Sequence, residues 1–166
     1  MSADPDHEDH EHDAHEGSVN HGLRIPSSLP PDADLAMSQT IGCAIAVHRA
    51  LGPGFIESIY RKAMRIELEA RNLALEEERS VYVRYRGIEI PGQRVDLIVE
   101  GLIVVELKAV THFDQIHKAQ LISYLKTTGL RGGLLINFRV PVLRDGIRRV
   151  VADFVVFVTF MVFPIP

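Results

Sequence analysis

Two stretches in the first half of the chain repeat their apolar residues at helical spacing. The first covers about residues 34–51 and ends at the Gly52-Pro53-Gly54 break, and the second covers residues 55–71. Apolar positions three and four residues apart indicate amphipathic helices. Asp34 and Ser38 are the alternative candidate caps for the first of them. We therefore predict a pair of helices before any strand.

The rest of the chain is organised in shorter apolar runs that predict strands. Arg86-Gly87 lies between two such runs and predicts a hairpin turn. A helix capped by Asp114 and reaching Leu125 follows the second hairpin. The predicted strands are residues 81–85 and 88–90, the two arms of a hairpin at 93–108, and residues 134–138 and 147–151. This order predicts an α/β fold in which helices pack against a sheet.

The hairpin at 93–108 places charged residues within apolar strands. A two-residue turn would put Asp96 and Glu106 on opposite faces, whereas an odd-length turn centred on Gly101 places them opposite each other. The odd register makes one face wholly apolar: Val95, Leu97, Val99, Ile103, Val105 and Leu107. It gathers Arg94, Asp96, Glu106 and Lys108 on the other. We favour this register because the hydrophobic pattern sets the pairing wherever a face is buried.

Two carboxylates beside an ammonium group suit a hard divalent cation. Charges among Val, Ile and Leu are costly to bury unless they pair or bind a metal ion. Mg²⁺ takes one or two carboxylates from a protein, and it acidifies water and neutralises phosphoryl charge. Asp96, Glu106 and Lys108 have this character. An exposed ladder of ion pairs at the end of two strands fits the same residues equally well, and the pattern does not choose between the two interpretations.

The composition is that of a globular domain, with 46% hydrophobic and 24% charged residues. Its one cysteine, Cys43, excludes a disulfide framework and indicates a reducing, cytoplasmic location. We interpret Cys43 as a small core residue. The net charge of −4 is uneven, since residues 1–34 hold nine acids and one arginine. The remaining seventeen basic and thirteen acidic residues make a mildly basic domain that is compatible with phosphate backbones.

The two ends of the chain differ from its middle, and we predict three regions. Residues 1–33 form an acidic, His-rich tail that is too polar to fold, and whose histidines could bind transition metals loosely. Residues 34–151 form the folded domain. Residues 152–166 are an apolar extension, shorter than the roughly 20 residues that a membrane span needs. We expect a buried last strand there or a seam through which a homodimer forms.

Several short motifs occur together in a fixed order along the chain. They are Gly54-Phe55-Ile56-Glu57-Ser58-Ile59-Tyr60, Val95-Asp96-Leu97, Glu106-Leu107-Lys108, Ala119-Gln120-Leu121-Ile122-Ser123-Tyr124-Leu125 and Gly133-Leu134-Leu135-Ile136-Asn137-Phe138. Over about residues 35–151, the chain closely resembles the GxxExxY protein family, which is grouped with the PD-(D/E)XK nuclease-like superfamily. The resemblance implies a restriction-endonuclease-like core, with a central mixed β-sheet flanked by helices.

The resemblance also implies roles for individual residues. Asp96 and Glu106 look like ligands of Mg²⁺ or Mn²⁺, and Lys108 looks like the catalytic lysine. Glu57 looks like an additional metal-binding acid, and Gln120 like the polar residue that follows the core lysine. Without the resemblance, Glu57 would be interpreted as a solvated helix acid and Gln120 as a surface residue. Val95 stands where the family usually has proline.

Three functions are compatible with these residues. The first is a metal-dependent nuclease acting on DNA or RNA, and the second is a non-catalytic nucleic-acid-binding module with the same fold. The third is a protein-interaction module that uses one of the chain ends. His117 could face the site or a phosphate, and Tyr124 shares a helix face with Gln120. The candidate phosphate contacts are Arg84, Arg86, Arg94, Lys118 and Lys126.

Overall fold

The computed structural model describes residues 29–152, which form three α-helices and a five-stranded sheet. The helices are α1 (Pro31–Leu51), α2 (Glu57–Ala70) and α3 (Gln115–Thr128). The strands are β1 (Leu75–Tyr85), β2 (Ile88–Val99), β3 (Ile103–Lys108), β4 (Gly132–Asn137) and β5 (Ile147–Val151), with a 3-10 helix at Leu143–Gly146 before β5.

The sheet is mixed, and its spatial order β1-β2-β3-β4-β5 follows the chain. Neighbouring strands are antiparallel except β3 and β4, which are parallel. A parallel pair needs a long crossover connection, and α3 supplies it. The predicted α/β fold is confirmed, with a central mixed sheet flanked by helices and a helical pair before it.

Each face of the sheet is covered by helices. Met37 of α1 and Tyr60 of α2 pack in the larger apolar cluster with Leu97 and Ile136 from the strands. The Tyr60 ring stacks on Phe138 with centroids 4.4 Å apart. The cluster on the other face joins α3 to the strands through Val81, Val95, Ile98, Val104, Leu121, Tyr124, Leu125 and Leu135. Cys43 is buried in the larger cluster, which confirms that it is a core residue.

The odd register of the β2–β3 hairpin is confirmed. Leu97 pairs with Val105 and Val99 pairs with Ile103 around the turn at Gly101. The predicted apolar face is wrong at one position, because Val95 packs in the cluster beneath α3. The side-chain alternation is interrupted next to it, where Glu78 of β1 adopts a left-handed φ of 50°.

Three predicted boundaries are also wrong, and the first is that of β1, which starts at Leu75 rather than at residue 81. Helix α1 starts at Pro31 rather than Asp34, and its N-cap residue, Pro30, makes no side-chain hydrogen bond. A proline at the first helical position loses no hydrogen bond, since that N–H has no partner within the helix. Strand β2 runs from Ile88 to Val99 without the break that separate strands would require. At α3, Asp114 caps the helix as predicted, with its carboxylate accepting from the Ile116 N–H at 3.0 Å.

Some predictions concern residues 1–28 and 153–166, which lie outside the part of the chain that the structure describes. They include the disordered His-rich tail and the homodimer through the apolar C-terminus, and both stay predictions. Within residues 29–152, no helix has the length and apolar character needed to span a bilayer.

Candidate active site

Three of the predicted site residues lie together where the β2–β3 pairing ends. The Leu107 N–H donates to Oδ2 of Asp96 at 2.9 Å, so this side chain bonds to the β3 backbone just past the last paired residues. Val104 of β3 lies on the face of the sheet that α3 covers. Glu106 and Lys108 lie on that same face, because side chains alternate along the strand. Lys108 Nζ donates to Oε1 of Glu106 at 2.6 Å.

Glu106 is the most deeply buried charged residue of this group, with 2% of its surface exposed. Its Oε1 accepts from Lys108, while its buried Oε2 has no hydrogen-bond partner within residues 29–152. Burial and the nearby charge of Asp96 raise the pKa of Glu106 to about 7, against the lowering effect of Lys108. A buried carboxylate oxygen without a partner is costly, so this atom is placed to accept a proton or a cation.

The charge of Lys108 depends on its carboxylate neighbours. Burial alone would lower its pKa, because it disfavours the ammonium form. The hydrogen bond and charge of Glu106, together with Glu57 and Asp96, outweigh that effect and raise the pKa of Lys108 above its ordinary value. Lys108 is therefore a fixed positive charge and a hydrogen-bond donor at neutral pH.

Glu57 is the first residue of α2 and approaches the same group of charges. Burial raises the pKa of its carboxyl, Lys108 lowers it, and Asp96 raises it again. These opposing influences place Glu57 within electrostatic reach of both residues. Its side chain also lines a cleft of about 280 Å³ together with Ala109 and Arg139. The site thus opens to the surface beside the start of α2.

Gln120 and Tyr124 approach the site from α3. Gln120 Nε2 donates to the Tyr124 hydroxyl at 2.7 Å, which confirms that they share a helix face. Burial raises the pKa of Tyr124, and the charges of Glu106 and Asp96 raise it further. His117 lies within electrostatic reach of Glu57, whose pKa it lowers, while its Nδ1 accepts the Asp114 N–H at 3.0 Å in the helix cap.

Arg61 belongs to this site and was missed by the sequence analysis. Its guanidinium lies 3.3 Å from Asp96, 3.2 Å from Glu78 and 3.6 Å from Glu77. The only sequence signal is its position four residues after Glu57 on α2, which puts both on one helix face. Arg94, predicted to lie beside Lys108, instead pairs with Glu78 of β1 at 3.3 Å.

Asn137 was also missed, and it fixes the chain that follows Lys108. Its buried amide donates to the Val110 carbonyl at 2.7 Å and accepts from the Val110 N–H at 3.1 Å. The next residue, Phe138, donates its N–H to the Lys108 carbonyl at 2.9 Å. A polar residue at the end of the apolar strand β4 was the available signal. These bonds set the backbone from which Lys108 projects.

The described acids supply part of a metal site. In residues 29–152, no three His, Cys, Asp or Glu side chains converge closely enough to hold a metal ion on their own. Two carboxylates, from Asp96 and Glu106, are nevertheless what Mg²⁺ typically takes from a protein, because it keeps several waters. The unpartnered Oε2 of Glu106 is a hard oxygen donor of the right kind. The residues present therefore fit a hydrated divalent cation.

Comparison with known proteins assigns the folded part of the chain to a family. The family model for the PD-(D/E)XK nuclease superfamily matches residues 34–150. No curated protein and no solved structure matches the chain. The narrower GxxExxY assignment, which depends on residues such as Glu57 and Tyr60, stays a prediction. Since the match covers more than half of its length, the chain belongs to the PD-(D/E)XK nuclease superfamily, whose nucleases generally use divalent metal ions.

Proposed function

We propose that this protein is a divalent-metal-dependent nuclease that hydrolyses phosphodiester bonds in DNA or RNA. The observation that carries the proposal is the Glu106 carboxylate, which is buried with one oxygen unpartnered. A fold does not keep such a group for stability, since burying it costs free energy. Asp96 and Lys108 surround it with the charges that phosphoryl chemistry needs.

In this proposal, Asp96 and Glu106 hold Mg²⁺ or Mn²⁺, and Glu57 is the additional acid at the rim of the site. When bound, such an ion neutralises charge on the phosphoryl group and acidifies water. Lys108 orients the attacking water or offsets phosphate charge, as its raised pKa keeps it protonated. Gln120 orients Lys108 or the substrate from α3. The free, buried Cys43 is consistent with a reducing, cytoplasmic environment.

The test is cleavage of single- and double-stranded DNA and RNA by the purified full-length protein with Mg²⁺ or Mn²⁺. Asp96→Asn, Glu106→Gln and Lys108→Met should each lower the cleavage rate by about 10³-fold, the scale expected for a group acting at the reacting centre. Asp145→Asn is the control, because Asp145 is an exposed acid in the 3-10 helix outside the site. Cleavage that survives both Asp96→Asn and Lys108→Met would reject the assignment.

Metal binding is a separate test that needs no substrate. Calorimetric titration with Mn²⁺ should show weaker binding for Glu106→Gln than for wild type, because an amide oxygen carries no charge. Asp145→Asn should bind Mn²⁺ like wild type. Equal affinities of Glu106→Gln and wild type would remove the proposed ligand.

A second candidate function is a non-catalytic nucleic-acid-binding module. The observation that favours it is the pairing of both carboxylates with cations of the chain itself, Asp96 with Arg61 and Glu106 with Lys108. In such a module, Arg61 and Lys108 replace the metal ion as the source of positive charge. Binding of nucleic acid that is unaffected by chelators, with no cleavage under any divalent ion, would support this candidate over the nuclease.

A further inference from the structure

The outer parts of β1 and β2 form a two-stranded ribbon, residues 79–94, that extends beyond the third strand. Strand β3 pairs with β2 only at residues 97–99, so the ribbon strands pair only with each other. Its tip is a tight turn in which both Arg86 and Gly87 have positive φ. Tyr82 is 53% exposed and Tyr85 is 61% exposed, so both aromatic rings face solvent.

The ribbon is basic as well as aromatic. Residues 79–94 contain four arginines and one glutamate, a net charge of +3. Three arginines bond to glutamates, whereas the Arg86 guanidinium lies over the Tyr85 ring, 5.6 Å from its centroid. Among the described residues, Arg86 has no ion-pair partner. Exposed tyrosines interleaved with arginines offer stacking surfaces and phosphate contacts on one element.

A cleft of about 670 Å³ lies between the ribbon and the last turn of α3. Tyr82 and Arg84 line it from the ribbon, while Lys126 and Thr127 line it from the helix. Lys126 has no ion-pair partner among the described residues. On the ribbon side, Arg84 is paired with Glu89, which also lines the cleft, so the positive charge that a polyanion would meet there comes from Lys126.

Helix α3 connects this cleft to the site. Gln93, at the base of the ribbon, donates to Ser123 Oγ at 3.2 Å. Gln120 lies one turn before Ser123 and faces the site, whereas Lys126 lies one turn after it and faces the cleft. At a rise of about 1.5 Å per residue, Gln120 and Lys126 are roughly 9 Å apart along the helix. A strand of a few nucleotides can span that distance.

We propose that the ribbon and this cleft bind single-stranded nucleic acid, with bases stacked on Tyr82 and Tyr85 and phosphates on Arg86 and Lys126. The ligand class rests on the proposed function, but the surface is distinct from the carboxylate site. A second copy of the chain is the other occupant that an exposed edge strand could take. Arg86 and Lys126 keep positive charges that no described carboxylate pairs with, so the charge of this surface favours a polyanion.

The first experiment measures binding of fluorescent 20-nucleotide single-stranded DNA and RNA, and of the matching duplex, by anisotropy in EDTA. Tyr82→Ser/Tyr85→Ser should weaken single-strand binding at least about tenfold, since each stacked base contributes strongly to affinity. The matched control, Leu35→Ser/Ile66→Ser, removes two exposed apolar residues from α1 and α2 and should bind like wild type. Circular dichroism should show the same fold for both.

The second experiment measures the dependence of binding on salt concentration. Arg86→Gln/Lys126→Gln should reduce the slope of log K against log salt by about 1.4, or about 0.7 for each lost phosphate contact on a single strand. Arg49→Gln/Arg144→Gln, a change at two exposed arginines elsewhere, should leave the slope unchanged.

Three results would overturn the ribbon proposal: no binding of single strands by wild type, wild-type affinity in the tyrosine variant, or a wild-type dimer that the tyrosine variant converts to monomer in sedimentation velocity. Failure of the nuclease proposal gives a different result. In that case oligonucleotides bind through the ribbon, the tyrosine variant loses binding, and no divalent ion yields cleavage.

Discussion

The two halves of strand β2 differ although they belong to one continuous strand. Residues 97–99 are fully buried and pair with a strand on each side, whereas residues 88–92 are exposed and pair with β1 alone. Both halves are rich in β-branched or apolar residues, so composition does not separate them. What separates them is the third strand together with the helices: β3 pairs the second edge of residues 97–99, and the helices cover both of their faces.

Asp96 lies at the boundary between these halves, where burial changes within a few residues. A carboxylate in the inner half would be cut off from solvent, and one in the outer half would be fully hydrated and weakly interacting. Asp96 has a side chain that is 13% exposed, which is intermediate between the two. The boundary thus allows strong electrostatic interaction and access from solvent at the same residue.

The largest effect that tests this comparison is on stability. Leu97→Ala in the inner half should lower the free energy of unfolding by about 3 to 4 kcal/mol, because it removes fully buried methyl groups and leaves a cavity. Ile88→Ala in the outer half should change it by less than about 0.5 kcal/mol, as expected at an exposed site. Urea titration of both variants gives the two values. Similar losses would mean that the ribbon belongs to the cooperative core.

The next effect concerns Glu106 of β3, whose pKa is raised by burial and by the charge of Asp96 at the boundary. The pKa of Glu106 is about 7 in the folded chain against an ordinary 4.5. A raised pKa means that the folded state holds the proton more tightly, so this contribution is fully present below pH 4.5 and lost as pH rises through about 7. Between pH 4.5 and a pH above about 7, the metal-free protein should lose about 3 kcal/mol of unfolding free energy because of this carboxyl group.

The measurement is the free energy of unfolding in EDTA from acid to mildly alkaline pH. Glu106→Gln should flatten the decline around neutral pH, because the amide does not titrate. Glu89→Gln, at an exposed acid paired with Arg84 in the ribbon, should leave the wild-type profile unchanged. An identical decline in Glu106→Gln would assign the pH dependence to another group.

The smallest effect concerns Arg61, whose charge would, under the proposed function, compete with the bound cation for Asp96. Arg61→Gln should tighten Mn²⁺ binding roughly fivefold, the scale of about 1 kcal/mol for a partly exposed ion pair. Arg65→Gln is the control, since Arg65 lies one turn further along α2 and pairs with Glu69 and Glu77 rather than Asp96. Calorimetry would contradict the competition if Arg61→Gln bound Mn²⁺ more weakly than wild type.

The convergence of Asp96 on Glu106 could be predicted because it depends on local rules. Alternation along two strands and a glycine in the turn are enough to choose the register, and the pairing of Leu97 with Val105 agrees. The same rules failed at Val95, where the left-handed φ of Glu78 marks an interruption that no sequence pattern announced. The start of α1 at Pro31 was missed because a proline occurs both at the first position of a helix and in the irregular segment before one.

Arg61 and Asn137 could not be found in the same way. Arg61 reaches Asp96 because of where α2 crosses the ends of β1 and β2, and that angle is set by packing across the whole core. Asn137 acts on Val110, which is 27 residues earlier and adjacent only through the parallel β3–β4 pair. Side chains whose partners are distant in sequence carry no local signature.

The bond from the Phe138 N–H to the Lys108 carbonyl has a consequence for the newly made protein. The strand that supports Lys108 on its second side is synthesised only after α3, so a ribosome that has reached residue 125 has made all the acids of the site but not the frame that aligns them. Long-range parallel pairing also forms slowly. Under the proposed function, the growing chain would therefore not cleave its own mRNA until β4 had joined the sheet.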